Sequence, residues 1–197
     1  MLESSSSVAC KFSVDWTSSH VCDWRRWFAP YAGLPGVHGL EVGVAEGRTS
    51  LWLLDHVLTA SGQTLTCVDP LRCGDWASAF SSNTRMVRDN GRLVWYPQSS
   101  LAALPAMLAA GRAGFFSLIY LDGCHEASVA LSDMCAAWQL LAPGGIVIID
   151  DLYLKLPVQA GPSAAILRWL PTLGPVRIEA VDTPPFGQVA VWKARPK

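Results

Sequence analysis

Four acid-bearing segments carry the residue types and spacings that could do chemistry. In the first, Gly39-Leu-Glu-Val-Gly-Val-Ala-Glu-Gly-Arg-Thr-Ser50, an apolar run meets Glu41, then Gly43 and Gly47 four apart, then a polar stretch. That order builds a tight strand-to-helix turn, and glycine lets such a turn approach a ligand or adopt positive φ without a Cβ clash. The spacing is not the G-x-G-x-x-G that wraps a pyrophosphate. An acid ahead of a looser turn suits a cofactor with a cationic or amino-acid end better than one with phosphates. The second segment, Cys67-Val-Asp-Pro70, ends another apolar run in Asp69. An acid there can accept hydrogen bonds from two ribose hydroxyls, or can serve as a turn or helix-capping residue. The third and fourth are Tyr120-Leu-Asp-Gly-Cys-His125 and Ile148-Ile-Asp-Asp151. On neighbouring strands their ends would lie about 5 Å apart. Asp122, Asp150 and Asp151 would then converge with no Lys or Arg in either segment. Such a cluster raises a pKa, binds a hard cation such as Mg²⁺, Mn²⁺ or Ca²⁺, or splays into water. His125, three residues after Asp122, is a candidate general base, a ligand-orienting donor or an ordinary helix-start residue.

The elements that must position these residues alternate. Strands are expected at Val37–Val44, Thr64–Val68, Leu93–Tyr96, Phe116–Leu121, Ile146–Ile149, Val176–Val181 and Gln188–Trp192. Helices are expected near Thr49–Ala60, Trp76–Arg88, Leu101–Ala110, Ala127–Leu141 and Ser163–Leu170. Pro143-Gly144-Gly145 reads as a break before the fifth strand. The loop 182–187 makes the last two strands an antiparallel pair. Repeated strand–helix alternation gives an α/β sheet with helices on both faces, and sites in such sheets lie at the carboxyl ends of the strands. Ahead of the sheet, Trp24, Trp27, Phe28 and Tyr31 fall at i, i+3, i+4, i+7 on one helix face, a stripe that packs on the sheet or forms a lid. The chain divides into a flexible lead (1–13), this helical lid or packing segment (14–36) and one α/β domain (37–197).

Composition bounds the classes. The chain has 197 residues, 51% of them apolar and 16% charged, with nine Trp and a formal net charge of −1, so it can bury a core and is not disordered. Without a basic run, broad nucleic-acid binding through phosphates is disfavoured. Low charge leaves apolar surface that a homo-oligomer would cover. No stretch approaches the ~20 apolar residues of a membrane span. The first seven residues lack the basic and apolar regions of a secretory signal, so the cytoplasm is the expected compartment. The six cysteines show no C-x-x-C pair or zinc spacing. Cys67 and Cys135 are expected as packed thiols, and Cys124 as a small pocket-lining residue.

Taken together, Glu41-Val-Gly-Val-Ala-Glu-Gly47, Val68-Asp-Pro70, Ile119-Tyr-Leu-Asp-Gly-Cys-His125 and Leu141-Ala-Pro-Gly-Gly-Ile-Val-Ile-Ile-Asp-Asp151 resemble the class I S-adenosylmethionine-dependent methyltransferases. The likeness is to the Methyltransferase domain 24 group and the metal-dependent O-methyltransferases of natural-product pathways, over about residues 37–192. It implies a Rossmann-like, mostly parallel seven-stranded sheet of order 3-2-1-4-5-7-6 with the last strand antiparallel. It implies that Glu41, Gly43 and Gly47, with Ala45, Thr49 and Ser50 of the same turn, hold the methionine end of S-adenosylmethionine. Asp69 would hold the ribose, Gln98 and Ser99 would contact the adenine, and Asp122 and His125 would border the cofactor. In metal-using relatives the acids matching Asp122, Asp150 and Asp151 hold Mg²⁺. Several such relatives carry a second acid where this chain has Cys124, which leaves His125, with Asp122, as the local catalytic candidate.

The function expected is methyl transfer to a hydroxyl of a small molecule, assisted by a divalent metal. The alternatives are a non-catalytic cofactor-binding or interaction subunit, and a metal-dependent oxygenase or hydroxylase on the same fold. A nicotinamide oxidoreductase is disfavoured by the missing G-x-G-x-x-G.

Overall fold

The computed structural model describes residues 10–72, 74–153, 161–182 and 186–195. Most of the lead (1–9), Cys73 and most of the 152–162 loop lie outside the described residues. Helix α1 (Val21–Phe28) precedes an alternation of β1 (Gly39–Val42), α2 (Arg48–His56), β2 (Leu65–Val68), α3 (Trp76–Asn83), α4 (Arg85–Asp89) and β3 (Leu93–Tyr96). There follow α5 (Ser100–Ala109), β4 (Phe116–Leu121), α6 (Ala127–Leu140), β5 (Leu141–Ile149), α7 (Pro162–Trp169), β6 (Arg177–Val181) and β7 (Gln188–Trp192). The sheet order is β3-β2-β1-β4-β5-β7-β6, with β7 antiparallel to both neighbours. The expected Rossmann-like sheet is therefore present.

Alternation along the strands splits the core into two layers. Leu40, Val42, Ile119, Leu121, Val147 and Ile149 face α5, α6 and α7. Leu65, Cys67, Leu118, Tyr120, Ile146 and Ile148 face the layer that contains α1 and α2. The aromatic stripe of α1 is core: Trp24, Trp27 and Phe28 are at most 1% exposed, and the Tyr31 hydroxyl donates to the Gly144 carbonyl at 2.9 Å. It packs on the sheet and is not a lid.

Three expectations differ from the structure for identifiable reasons. The expected helix Trp76–Arg88 breaks at Thr84, whose hydroxyl donates to the Phe80 carbonyl at 2.6 Å, the back-bonding that bends helices at Ser and Thr. Pro143-Gly144-Gly145 lies inside β5 rather than before it. Gly144, at φ +79°, donates to the Lys193 carbonyl and Gly145 accepts from the Lys193 N–H, so pairing to the chain beyond β7 carries the strand through while its register with β4 shifts. Cys135 is exposed on α6, whereas Cys67 is buried as expected. No helix among the described residues is long and apolar enough to cross a membrane.

Candidate active site

The acids do end adjacent strands. β1 sits between β2 and β4, with Glu41 level with Cys67 and Tyr120, and β4 pairs with β5 so that Leu121 aligns with Ile149. Asp69, Asp122 and Asp150 therefore leave the sheet at the same edge.

The turn after β1 is shaped by contacts within the protein. Gly43 has φ +84°, and a Cβ there would stand 1.9 Å from the Asp122 carbonyl oxygen. Gly47, also at φ +84°, lies against Thr84 and Phe80, 2.8 and 3.0 Å from where its Cβ would be. Both glycines are thus required by packing before any ligand is considered. Ala45, between them, takes φ +44°. Asp69 locks the turn to β2: its carboxylate accepts from Val44 N–H at 2.9 Å and from Leu71 N–H at 2.7 Å.

Glu41 is fully buried beneath this turn. One carboxylate oxygen accepts from the Ser50 hydroxyl at 2.5 Å and from the Cys67 thiol at 3.6 Å, while the other, Oε1, has no hydrogen-bond partner. Burial pushes its pKa up to about 8. An open cleft lies here, walled by Glu41, Gly43–Glu46, Arg48 and Thr49, with Tyr120 and Asp122 from β4. Val14, Trp16 and Thr17 complete the wall. That stretch is pinned: Ser13 N–H and hydroxyl both donate to the Glu46 carboxylate, and Thr17 and Thr49 share a hydrogen bond of 2.9 Å. Gln98 and Ser99 are exposed and are not among the residues lining this cleft.

Asp122, His125 and Asp151 form one cluster, with a donor atom from each lying within 4.8 Å of the others. His125 Nε2 is 2.7 Å from Asp151 Oδ2 and 3.6 Å from Asp122 Oδ1. Yet Nε2 makes no aligned hydrogen bond, so its N–H direction misses both carboxylates. Proximity of the two negative carboxylates, Asp122 first and then Asp151, still outweighs burial and raises the His125 pKa to about 10. Burial and the neighbouring acids raise that of Asp122. Beyond Asp122 a second open pocket is lined by Gly123–His125, Asp133, Met134, Ile149 and Asp150 among others.

Asp150 does not join the cluster with its neighbour. Its carboxylate is turned into the core, where Oδ2 accepts from the Tyr120 hydroxyl and from Gln188 Nε2, and Oδ1 accepts from Asp151 N–H. The sequence expectation of Asp122, Asp150 and Asp151 as one ligand set thus meets a structure that substitutes His125 for Asp150. Three kinds of residue were missed from sequence: the 13–17 segment over the cleft, Tyr120, and Gln188. Only Gln188 left a signal, as a polar residue opening an apolar strand.

A family model described as a methyltransferase domain matches residues 40–152, more than half of the chain and all four acid-bearing segments. The chain belongs to the methyltransferase-domain family. Solved structures agree on the fold. An O-methyltransferase from Bacillus cereus, in complex with SAH, superposes with a TM-score of 0.71 at 16% identity, covering 92% of this chain and 84% of that one. A Corynebacterium glutamicum protein gives 0.65 at 18% identity, with 94% of each chain covered. A cofactor-bound protein from MTB gives 0.68 at 16% identity, with 94% and 84% covered. No curated protein matches this methyltransferase-domain chain by sequence.

Proposed function

We propose that this chain transfers a methyl group from S-adenosylmethionine to a hydroxyl of a small molecule, with a divalent cation assisting. The observation that carries the reading is the unpartnered, fully buried Glu41 Oε1 in the wall of a cleft that also reaches Asp122. A buried carboxylate oxygen without a donor is costly unless a ligand supplies one. The ammonium of the cofactor's methionine end is such a donor, so the residues fit the group. Gly43, Ala45, Gly47 and Thr49 would line the same end. Ser50 acts from behind by orienting Glu41, and Asp69 would meet the ribose with the capacity its two backbone hydrogen bonds leave. Gln98 and Ser99, at the end of β3, remain candidates for the adenine.

S-adenosylmethionine supplies an activated methyl on a sulfonium, so the chain's task is alignment and exclusion of water. A divalent cation would lower the pKa of the acceptor hydroxyl. Asp122 and Asp151, whose oxygens lie within 4.8 Å of each other and of His125 Nε2, would hold it through hard carboxylate oxygens. Asp150, though a member of the expected set, supports Asp151 from beneath. His125, between the two acids, is the group able to hold or pass on a proton at Nε2.

The test is transfer of an isotopically labelled methyl from S-adenosylmethionine to a panel of phenols, sugars and hydroxy acids, with Mg²⁺, Mn²⁺ or EDTA. Labelled methyl ethers formed with the metals and lost with EDTA support the proposal. Cofactor binding with transfer to nothing would move the chain to the non-catalytic reading. Metal-dependent oxygen consumption would move it to the oxygenase.

A further inference from the structure

We infer that Gln188, which no part of the proposed chemistry uses, is a positioning residue that sets Asp151 through Asp150. Gln188 opens β7 and is fully buried, and each end of its amide is engaged. The Trp24 indole N–H, which can only donate, reaches Gln188 Oε1 at 2.8 Å. That bond fixes which way round the amide lies, so Nε2 must point to the opposite side. There it donates to Asp150 Oδ2 at 2.9 Å and to the Tyr120 hydroxyl oxygen at 3.2 Å. The Tyr120 hydroxyl spends its own proton on the same Asp150 oxygen. The other Asp150 oxygen accepts from Asp151 N–H at 2.7 Å.

Direction therefore runs along the chain without ambiguity: indole to amide, amide and phenol to carboxylate, and that carboxylate to the backbone of the next residue. Asp151 is where it ends, and its backbone is unusual. It has φ +56°, in the left-handed region, which Asp adopts more readily than most side chains but still uncommonly. The main chain adds two ties to the approach to β7, since Leu152 N–H donates to the Gly187 carbonyl at 3.2 Å and Tyr153 N–H to Phe186 at 2.6 Å. Pinned so, Asp151 brings its own carboxylate to 2.7 Å from His125.

Packing alone does not ask for this arrangement. Replacing paired buried polar groups by apolar ones of similar shape is often neutral for stability. Here a core indole, an amide, a phenol and a carboxylate are all paired, and the last bond of the series holds the backbone of Asp151 at the candidate site. The function of the network is geometric, and its relevance to methyl transfer rests on the reading above.

Two measurements on the full chain decide it. Ring resonances of His125 are recorded in the ligand-free protein for wild type, Gln188→Met, Trp24→Phe and, as a control in the same strand, Val191→Ala. Displaced His125 resonances in Gln188→Met and Trp24→Phe, with Val191→Ala unchanged, are expected. Unchanged resonances in the first two, or equal displacement in all three, would overturn the inference. Trp24→Phe keeps the test available if Gln188→Met does not fold. In parallel, Mn²⁺ and SAH are titrated separately. Mn²⁺ binding is expected to weaken at least tenfold in Gln188→Met while SAH affinity stays within twofold. Equal losses for both would mean a general structural role and would overturn the inference. A wild type that binds neither probe refutes the methyl-transfer reading, and the His125 resonances still decide the positioning role.

Discussion

Replacing Glu41 by glutamine removes a carboxyl whose pKa burial has raised to about 8, from an ordinary value of 4.5. The folded chain holds that proton more tightly than the unfolded chain does. Between about pH 4.5 and 8 the native state therefore binds more protons, and it loses stability as pH rises across that window, levelling off above it. Each unit of difference is worth about 1.4 kcal/mol, so the wild type should lose on the order of 3 kcal/mol between pH 5 and 8 from this one group. The Glu41→Gln variant lacks that slope. Urea unfolding of both proteins at pH 5, 6, 7 and 8 reads the difference directly. The variant should gain on the wild type steadily as pH rises, by about that total. Parallel stability curves would refute the claim that Glu41 is buried without sufficient compensation. The same substitution should weaken S-adenosylmethionine binding. A hydrogen bond to a charged partner is worth about 1.5–3 kcal/mol, which corresponds to roughly a ten- to hundredfold loss in affinity by calorimetry. A variant more stable at pH 8 yet poorer in cofactor affinity is the signature of a residue kept for binding.

Further outcomes follow from single contacts. Gly43→Ala places a methyl 1.9 Å from the Asp122 carbonyl at a positive φ, so it should lower stability by about 3 kcal/mol or more, or prevent folding, as read by thermal unfolding. Trp27→Ala empties a site that is 1% exposed and should cost about 3–5 kcal/mol in urea unfolding, with SAH affinity little changed. Asp151→Asn should abolish stabilisation by Mn²⁺ in thermal unfolding while leaving stabilisation by SAH intact, because Asp151 belongs to the cluster and not to the cleft wall.

The strands and the edge on which the acids sit were legible in the sequence because they follow from local pattern, while the order of the strands came from the family resemblance. Apolar runs ending in Glu41-x-Gly43, Asp69, Asp122 and Asp150 mark strand ends, and strand–helix alternation restricts how such strands are ordered. Which of two adjacent acids faces the site was not legible. Asp150 and Asp151 are equivalent in any pattern, and the choice is made by Gln188 and Tyr120, 38 and 30 residues away. The glycines illustrate a different limit. Their need for positive φ can be read from the turn, but what crowds them is the Asp122 carbonyl, Thr84 and Phe80, none of which sequence spacing places there. The break at Thr84 has the same origin, for the residue that interrupts the helix is also the one against which Gly47 packs. The segment over the cleft is legible only in three dimensions, since Ser13 and Thr17 carry no signal until Glu46 and Thr49 come beside them.

On the proposed reading, the cleft beside Glu41 holds the amino-acid end of S-adenosylmethionine. Thermal unfolding with S-adenosylmethionine, and in parallel with 5′-methylthioadenosine, which lacks that end, tests it most directly. At about a hundred times its dissociation constant, S-adenosylmethionine should stabilise the fold by roughly 2.7 kcal/mol. Methylthioadenosine at the same concentration should give a clearly smaller shift. Equal shifts would contradict the role of Glu41, and no shift with either compound would contradict the account as a whole.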